Sequence, residues 1–207
     1  MASLAWWLGR APCRLARLQP PSPESRGAVA MKPRRLYIMR HGKSDWGATG
    51  LADRERDLAQ RGRRDSQRMG ELLAERGLTP DRIIASPAKR ARLTAKLVAR
   101  ACGYGGKIGR EETLYYGEAE RCVSLLCGLA DAWRSVLVVG HNPGLEELVG
   151  LLTGESVKLT TANVAAIDLP VEDWADLRPH CARGVLRFVL RPKESATRPA
   201  DGSHEES

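Results

Sequence analysis

Apolar residues fall along this chain in two rhythms that alternate from end to end. Short runs of strand-forming residues, at 35–39, 81–85, 135–139, 163–169 and 185–190, are separated by stretches in which apolar positions recur every three or four residues. The run at 135–139 is Val/Leu-rich with no charged position, the pattern of a strand covered on both faces. The helical stretch 60–76 gathers Ser66, Met69, Leu72 and Leu73 on one side and ends at Gly77, a C-cap residue. Ser86-Pro87 reads as N-cap and first helical residue of a helix reaching about 102, with Leu97, Val98 and Ala101 on its buried side. Two more helices follow: 118–130 with Val123, Leu126 and Leu129 inward, and 145–152, stopped by Thr153-Gly154. Strands alternating with helices predict an α/β fold, a single three-layer domain with a mostly parallel central sheet and helices on both faces.

The two ends break this rhythm. Residues 1–30 contain no acid before Glu24, carry Arg10, Arg14 and Arg17 at helical spacing, and run into Pro20-Pro21-Ser22-Pro23. Such a segment is either a disordered extension or an organelle transit peptide, with Met31 as an alternative first residue. The domain then covers 31–193, and the polar stretch 194–207 is expected to be disordered.

Charge narrows the partners. The chain has 33 Lys plus Arg against 25 Asp plus Glu, a net charge of +8, which favours anions. Its arginines are scattered through helical segments as solvated faces, only 5% of residues are aromatic, and no dense basic run interleaves with aromatics, so nucleic acid is not expected as a partner. No window reaches the length of a membrane span, so no membrane insertion is expected. Five cysteines, at 13, 102, 122, 127 and 181, form no C-x-x-C pair and have no histidine at zinc-finger spacing. They imply a reduced interior and no metal site, with Cys122 and Cys127 as small core residues. A cytoplasmic location follows, or a mitochondrion or chloroplast if residues 1–30 are a transit peptide. The glycine-rich 103–109 follows a helix rather than a strand and reads as a flexible turn, not a nucleotide loop.

In parallel sheets ligands bind beyond the carboxyl ends of the strands. Arg40-His41-Gly42 closes the first strand, Arg90 falls in the first turn of the helix after the second, and His141 closes 135–139. Two arginines and two histidines without a nearby carboxylate cluster suit a phosphate dianion better than a metal, because guanidinium forks match phosphate oxygens. A neutral imidazole can attack phosphorus, so one histidine would be the nucleophile and the other would hold the oxygens, with no cofactor needed. The loop 42–56 could cover such a site.

Three motifs in this order, Arg40-His41-Gly42, Ser86-Pro87-Ala88-Lys89-Arg90-Ala91 and Gly140-His141-Asn142-Pro143-Gly144, resemble those of the histidine phosphatase superfamily, and more narrowly of its SixA-type branch. The resemblance spans about 34–193 and includes Arg56 with Leu58, Arg61-Gly62, Leu114-Tyr115 and Thr161-Ala162. It implies a phosphoglycerate mutase-like fold, His41 as nucleophile, Arg40 and Arg90 as phosphate clamps, His141 as a second phosphate-facing histidine and Arg56 as an additional phosphate-side arginine. Gly42 reads either as a simple turn glycine or as room for the backbone that fixes the His41 ring.

The departures bear on substrate. Ala59 stands where the branch commonly carries a capping threonine, and Asn142 where the acid phosphatase branch has an aspartate. No counterpart of the mutase acid is evident, although Asp45, Glu112 and Glu118 could lie near. Alkoxide leaving groups need an acid, whereas imidazole leaves a phosphoramidate as a stable neutral base. The expected activity is therefore hydrolysis of phosphohistidine in a protein. The alternatives are a broad small-molecule phosphomonoesterase or mutase, and a catalytically idle phosphate-binding or scaffold protein. The partner is a phosphorylated protein or a small phosphorylated substrate.

Overall fold

A computed structural model describes residues 32–47, 50, 52–178 and 184–193. The expectations for residues 1–30 and for 194–207 lie outside the described residues. The sheet has six strands: β1 (Arg34–Arg40), β2 (Arg82–Ala85), β3 (Gly109–Arg110), β4 (Ser135–Gly140), β5 (Val164–Leu169) and β6 (Val185–Leu190), in the order β3-β2-β4-β1-β5-β6. The pairs β2–β3, β2–β4 and β1–β4 are parallel; β5 runs antiparallel to β1, and β6 antiparallel to β5.

Side chains alternate across the strands and so build two cores. Leu36, Ile38, Val136 and Val138 point to one face with Leu126, Leu145 and Leu148, whereas Tyr37, Met39, Leu137 and Val139 point to the other with Met69, Leu73 and Val98. Helices α1 (Gln60–Glu75) and α2 (Lys89–Ala101) cover the second face; α3 (Thr113–Tyr116), α4 (Ala119–Cys127) and α5 (Gly144–Thr153) cover the first. Gly154 ends α5 in the left-handed conformation, φ 77°. Cys122 is buried and its thiol is pushed up to about 11 by burial, and the half-buried Cys127 packs on the same core. At the opposite end of β1 from the motifs, the buried Arg34 donates to the carbonyls of Glu172, Asp131 and Trp133 and pairs with Asp131 and Asp173.

Several local expectations are corrected. Helix α2 starts at Lys89 with Ala88 at N-cap and no side-chain cap, because the Ser86 N–H belongs to the sheet, donating to Val139 O. Its buried face is Ala91, Thr94, Ala95, Val98 and Ala99, with Leu97 and Ala101 only partly covered. Small residues win there because α1 packs tightly on α2: a Cβ on Gly70 would lie 2.6 Å from both Val98 O and the Ala101 methyl. Helix α4 stops at Cys127, capped by Gly128, rather than continuing to 130. Gly109, read as the last residue of a turn, forms the edge strand β3 together with Arg110.

Candidate active site

The parallel register of β1 and β4 sets Arg40 opposite Gly140, so the next residues of the two strands, His41 and His141, emerge side by side. Their ring centroids are 4.7 Å apart at 52°. The register of β2 and β4 sets Ala85 opposite Val139, which brings Ser86 to the same edge. Arg90, the second residue of α2, leans over both rings: Nε donates to His41 Nε2 at 3.3 Å and Nη2 to His141 Nδ1 at 3.2 Å. Four residues distant in sequence thus meet at the carboxyl ends of three strands.

Because guanidinium only donates, these contacts fix the tautomers. His41 accepts at Nε2 and so carries its proton on Nδ1, which donates to the Gly42 carbonyl at 2.7 Å. His141 accepts at Nδ1 and donates from Nε2 to Ser86 Oγ at 2.9 Å. The Gly42 carbonyl is held in turn, since its own N–H donates to Thr94 Oγ1 at 3.0 Å and Thr94 is anchored to the Arg90 carbonyl. Behind His41, the Ala162 N–H bridges the carbonyls of Arg40 and His41, and Ala162 adopts φ 65° to do so.

Electrostatics keep both rings neutral. Burial pushes the His41 imidazolium down to about 4; the Gly42 hydrogen bond opposes it as the next largest influence, and the charges of Arg90 and then Arg40 add to the lowering. Burial pushes His141 down to about 3, with His41 and Arg90 adding to the effect. The His41 Nε2 lone pair is therefore available at neutral pH.

The two further arginines are placed differently. Arg40 donates to the Leu159 carbonyl at 3.0 Å, and its Nε is buried with no partner among the described residues. Arg56 does not touch the histidines. It lies over Trp46 at 3.5 Å, donates to Ser44 Oγ and the Asp45 carbonyl, and pairs with Asp53. Asp53 is the link that sequence reasoning missed. Its carboxylate accepts from Arg90 Nη2 at 2.8 Å and from the Tyr115 hydroxyl at 2.9 Å, and its carbonyl accepts from Arg90 Nη1. Burial raises the Asp53 carboxyl, but the bonds from Arg90 and Tyr115 outweigh it and hold the group below the usual aspartate range. Tyr115 meets His141 edge-on, centroids 5.2 Å apart. Its place in the motif Leu114-Tyr115 was the available signal; Asp53 had only its position in the covering loop.

Of the three carboxylates expected nearby, Asp45 caps Gly47, Glu112 pairs with Arg54, and Glu118 lines a cleft of about 250 Å³ together with His141, Tyr115 and Asn142. Asn142 directs its amide to Glu146 and the Leu159 carbonyl.

The profile of the histidine phosphatase superfamily (branch 1) matches residues 36–120. A protein of Erwinia tasmaniensis classed as a phosphoglycerate mutase is 31% identical over 156 residues, 73% of this chain and 72% of that one. The chain belongs to the histidine phosphatase superfamily. A chloroplastic protein of Arabidopsis thaliana is 29% identical over 152 residues, 69% of this chain and 70% of that protein. Among solved structures, one from Agrobacterium tumefaciens assigned as a phosphohistidine phosphatase SixA superposes with TM-score 0.66 at 29% identity, covering 77% of this chain and 99% of its own. The fold is the phosphoglycerate mutase-like one, and membership makes the chain a phosphatase- or mutase-type enzyme. Among the described residues, no helix is long and apolar enough to cross a membrane.

Proposed function

We propose that this enzyme hydrolyses phosphohistidine in a protein through a phosphohistidine formed on its own His41. The observation that carries the reading is the fixed tautomer of His41: Nδ1–H is held by the Gly42 carbonyl, so the Nε2 lone pair faces the Arg90 guanidinium, where a phosphate oxygen would be drawn. As the P–Nε2 bond forms, the substrate's P–N bond breaks and its imidazole, already protonated on the far ring nitrogen, leaves neutral; water then attacks the same phosphorus, the P–Nε2 bond breaks, and inorganic phosphate leaves a neutral His41. Arg90 and Arg40 hold the non-bridging oxygens. An arriving dianion raises the proton affinity of His141, which lets that ring donate toward the same oxygens.

A rapid denaturing quench at alkaline pH with labelled phosphohistidine substrate tests the mechanism. Label is expected on wild type and absent from His41→Ala; turnover without label overturns it. The phosphomonoesterase or mutase reading draws support from Glu118, which lines the cleft beside His141, and from the relative classed as a phosphoglycerate mutase. It requires Glu118→Gln to cut hydrolysis of sugar phosphates about 100-fold, the size of a lost general acid. Under our reading phosphohistidine turnover in that variant is unchanged and exceeds sugar phosphate turnover in wild type.

We infer a cytoplasmic location from the free thiols of Cys102, Cys122 and Cys127, the cysteines among the described residues. The competing organelle destination is supported by the Arg-rich, acid-poor start of the sequence and by the chloroplastic relative. The amino-terminal sequence of the native protein decides between them: a start within residues 3–30, or at a position just beyond them other than Met31, marks cleavage.

A further inference from the structure

A second cleft, of about 860 Å³, lies between α2 and residues 106–111 and belongs to no part of the histidine site. Its walls carry Arg82, Arg92 and Lys96 on one side and Lys107 and Arg110 on the other, against the single acid Glu111.

The handling of charge differs sharply between the two helices on this face. On α1, three of four arginines, Arg61, Arg63 and Arg68, pair with Asp65, Asp57 and the two acids Glu71 and Glu75, and only the exposed Arg64 has no carboxylate partner among the described residues. On α2 there is no acidic residue at all; Lys89 and Arg90 find Asp57 and Asp53 across the loop, but Arg92 and Lys96 do not. Among the described residues, none of Arg92, Lys96, Lys107 and Arg110 has a carboxylate partner, and the Nε atoms of Arg82 and Arg92 are buried and unbonded. Arg92 and Lys96 are also four apart on one helix, where like charges repel. Uncompensated cations converging on a concave surface are the complement of an anion, not a solvated helix face.

We propose that this cleft docks an extended acidic segment of the protein substrate, a proposal that rests on the phosphohistidine-protein reading above. Two features favour a polypeptide over a nucleic acid. The cleft borders β3, the edge strand of the sheet, whose outer side has no partner strand among the described residues and can pair with an extended chain. No aromatic side chain lines it, so bases would have nothing to stack on. A run of contacts joins the cleft wall to the histidine site. Glu111 adjoins Glu112, Glu112 holds Arg54, and Arg54 lies 5.3 Å over the Tyr115 ring that packs on His141.

The probe is a fluorescent peptide in which Asp and Glu alternate with Thr, titrated onto the full chain at low and moderate salt. Two variants reverse opposite walls: Arg92→Glu with Lys96→Glu, and Lys107→Glu with Arg110→Glu. Each is expected to weaken peptide binding at least about tenfold, and salt to weaken wild-type binding. Both variants are expected to hydrolyse phosphoimidazole like wild type while showing a raised KM, at unaltered kcat, on a phosphohistidine protein with acidic flanks. Peptide binding unchanged in both variants overturns the proposal. So does a single-stranded oligothymidylate of equal charge that binds as tightly as the peptide. Wild type that binds the peptide but turns over no phosphohistidine overturns the proposed substrate alone and leaves the groove standing.

Discussion

Asp53 holds Arg90 at two points, through its backbone carbonyl 2.5 Å from Nη1 and through its carboxylate 2.8 Å from Nη2. The same guanidinium is the group that faces both histidine rings. A phosphate seated on the rings must therefore share Arg90 with a carboxylate that repels it. Asp53→Asn is expected to lower the inhibition constant for inorganic phosphate by about five- to tenfold, on the order of 1 kcal/mol for a half-exposed charge. Competition kinetics against a small substrate measure it. A weaker grip on phosphate would instead mean that Asp53 orients Arg90.

The two neutral imidazoles tie stability to pH. A histidine in the unfolded chain titrates near 6.5, whereas His41 in the fold takes its proton only near 4 and His141 only near 3. Between those values the unfolded state binds protons that the folded state rejects, so stability is complete above about 6.5 and declines as pH falls through the window. At pH 4.5 the loss linked to His41 is about 2 kcal/mol relative to pH 7. Denaturant unfolding of wild type and His41→Gln at both pH values checks it: the variant should lose less on acidification. Equal losses would show that His41 titrates normally.

What the sequence disclosed was whatever depended on local pattern. The run Leu36 to Met39 is apolar at every position because both faces of β1 are covered, and that is visible without a structure. The meeting of His41 and His141 follows from strand ends, and that of Arg90 from the first turn of the helix behind the second strand, whereas Arg40 at the same edge turns to the Leu159 carbonyl. Ser86 misled because Ser-Pro fits the chemistry of a helix start: its Oγ does accept from the Ala88 N–H at 3.3 Å, but its N–H is drawn to Val139 and its hydroxyl is shared with His141, both more than fifty residues away. Strand β3 was hidden for the same reason: Gly109–Arg110 has no strand propensity and is extended only because β2 lies beside it. Asp53 belongs to a loop with no periodicity to read, and its role exists only once Arg90 arrives.

Helix α1 offers a test of capping. Its N-cap is Ala59, with φ −63° and ψ 161°, and no side chain satisfies the first free N–H groups. Ala59→Thr supplies a hydroxyl in the backbone conformation that a cap requires and is expected to stabilise the protein by about 1 kcal/mol. The shift in unfolding midpoint, at unchanged steady-state kinetics, is the measurement. No gain would mean that the half-buried Ala59 site has no room for the longer side chain.

Gly42 admitted two readings, and its surroundings decide between them. A Cβ there would lie 2.7 Å from the Gly62 carbonyl oxygen and 2.7 Å from Ser66 Oγ. Gly62 cannot retreat, since its own Cα faces the Lys43 backbone so closely that a methyl would collide with the Lys43 carbonyl. The two glycines form a seam that seats the start of α1 against the loop that follows His41. Gly42 is also pinned on both sides, its N–H on Thr94 and its carbonyl on His41 Nδ1. A methyl must push the loop outward and turn that carbonyl away from the ring. Gly42→Ala is expected to cost about 1–3 kcal/mol of stability, as overpacking does, and to lower kcat at least about tenfold through loss of the His41 orientation. Adding Ser66→Ala should not restore it, because the Gly62 carbonyl remains. Wild-type stability and kcat in Gly42→Ala would leave Gly42 a turn glycine and nothing more.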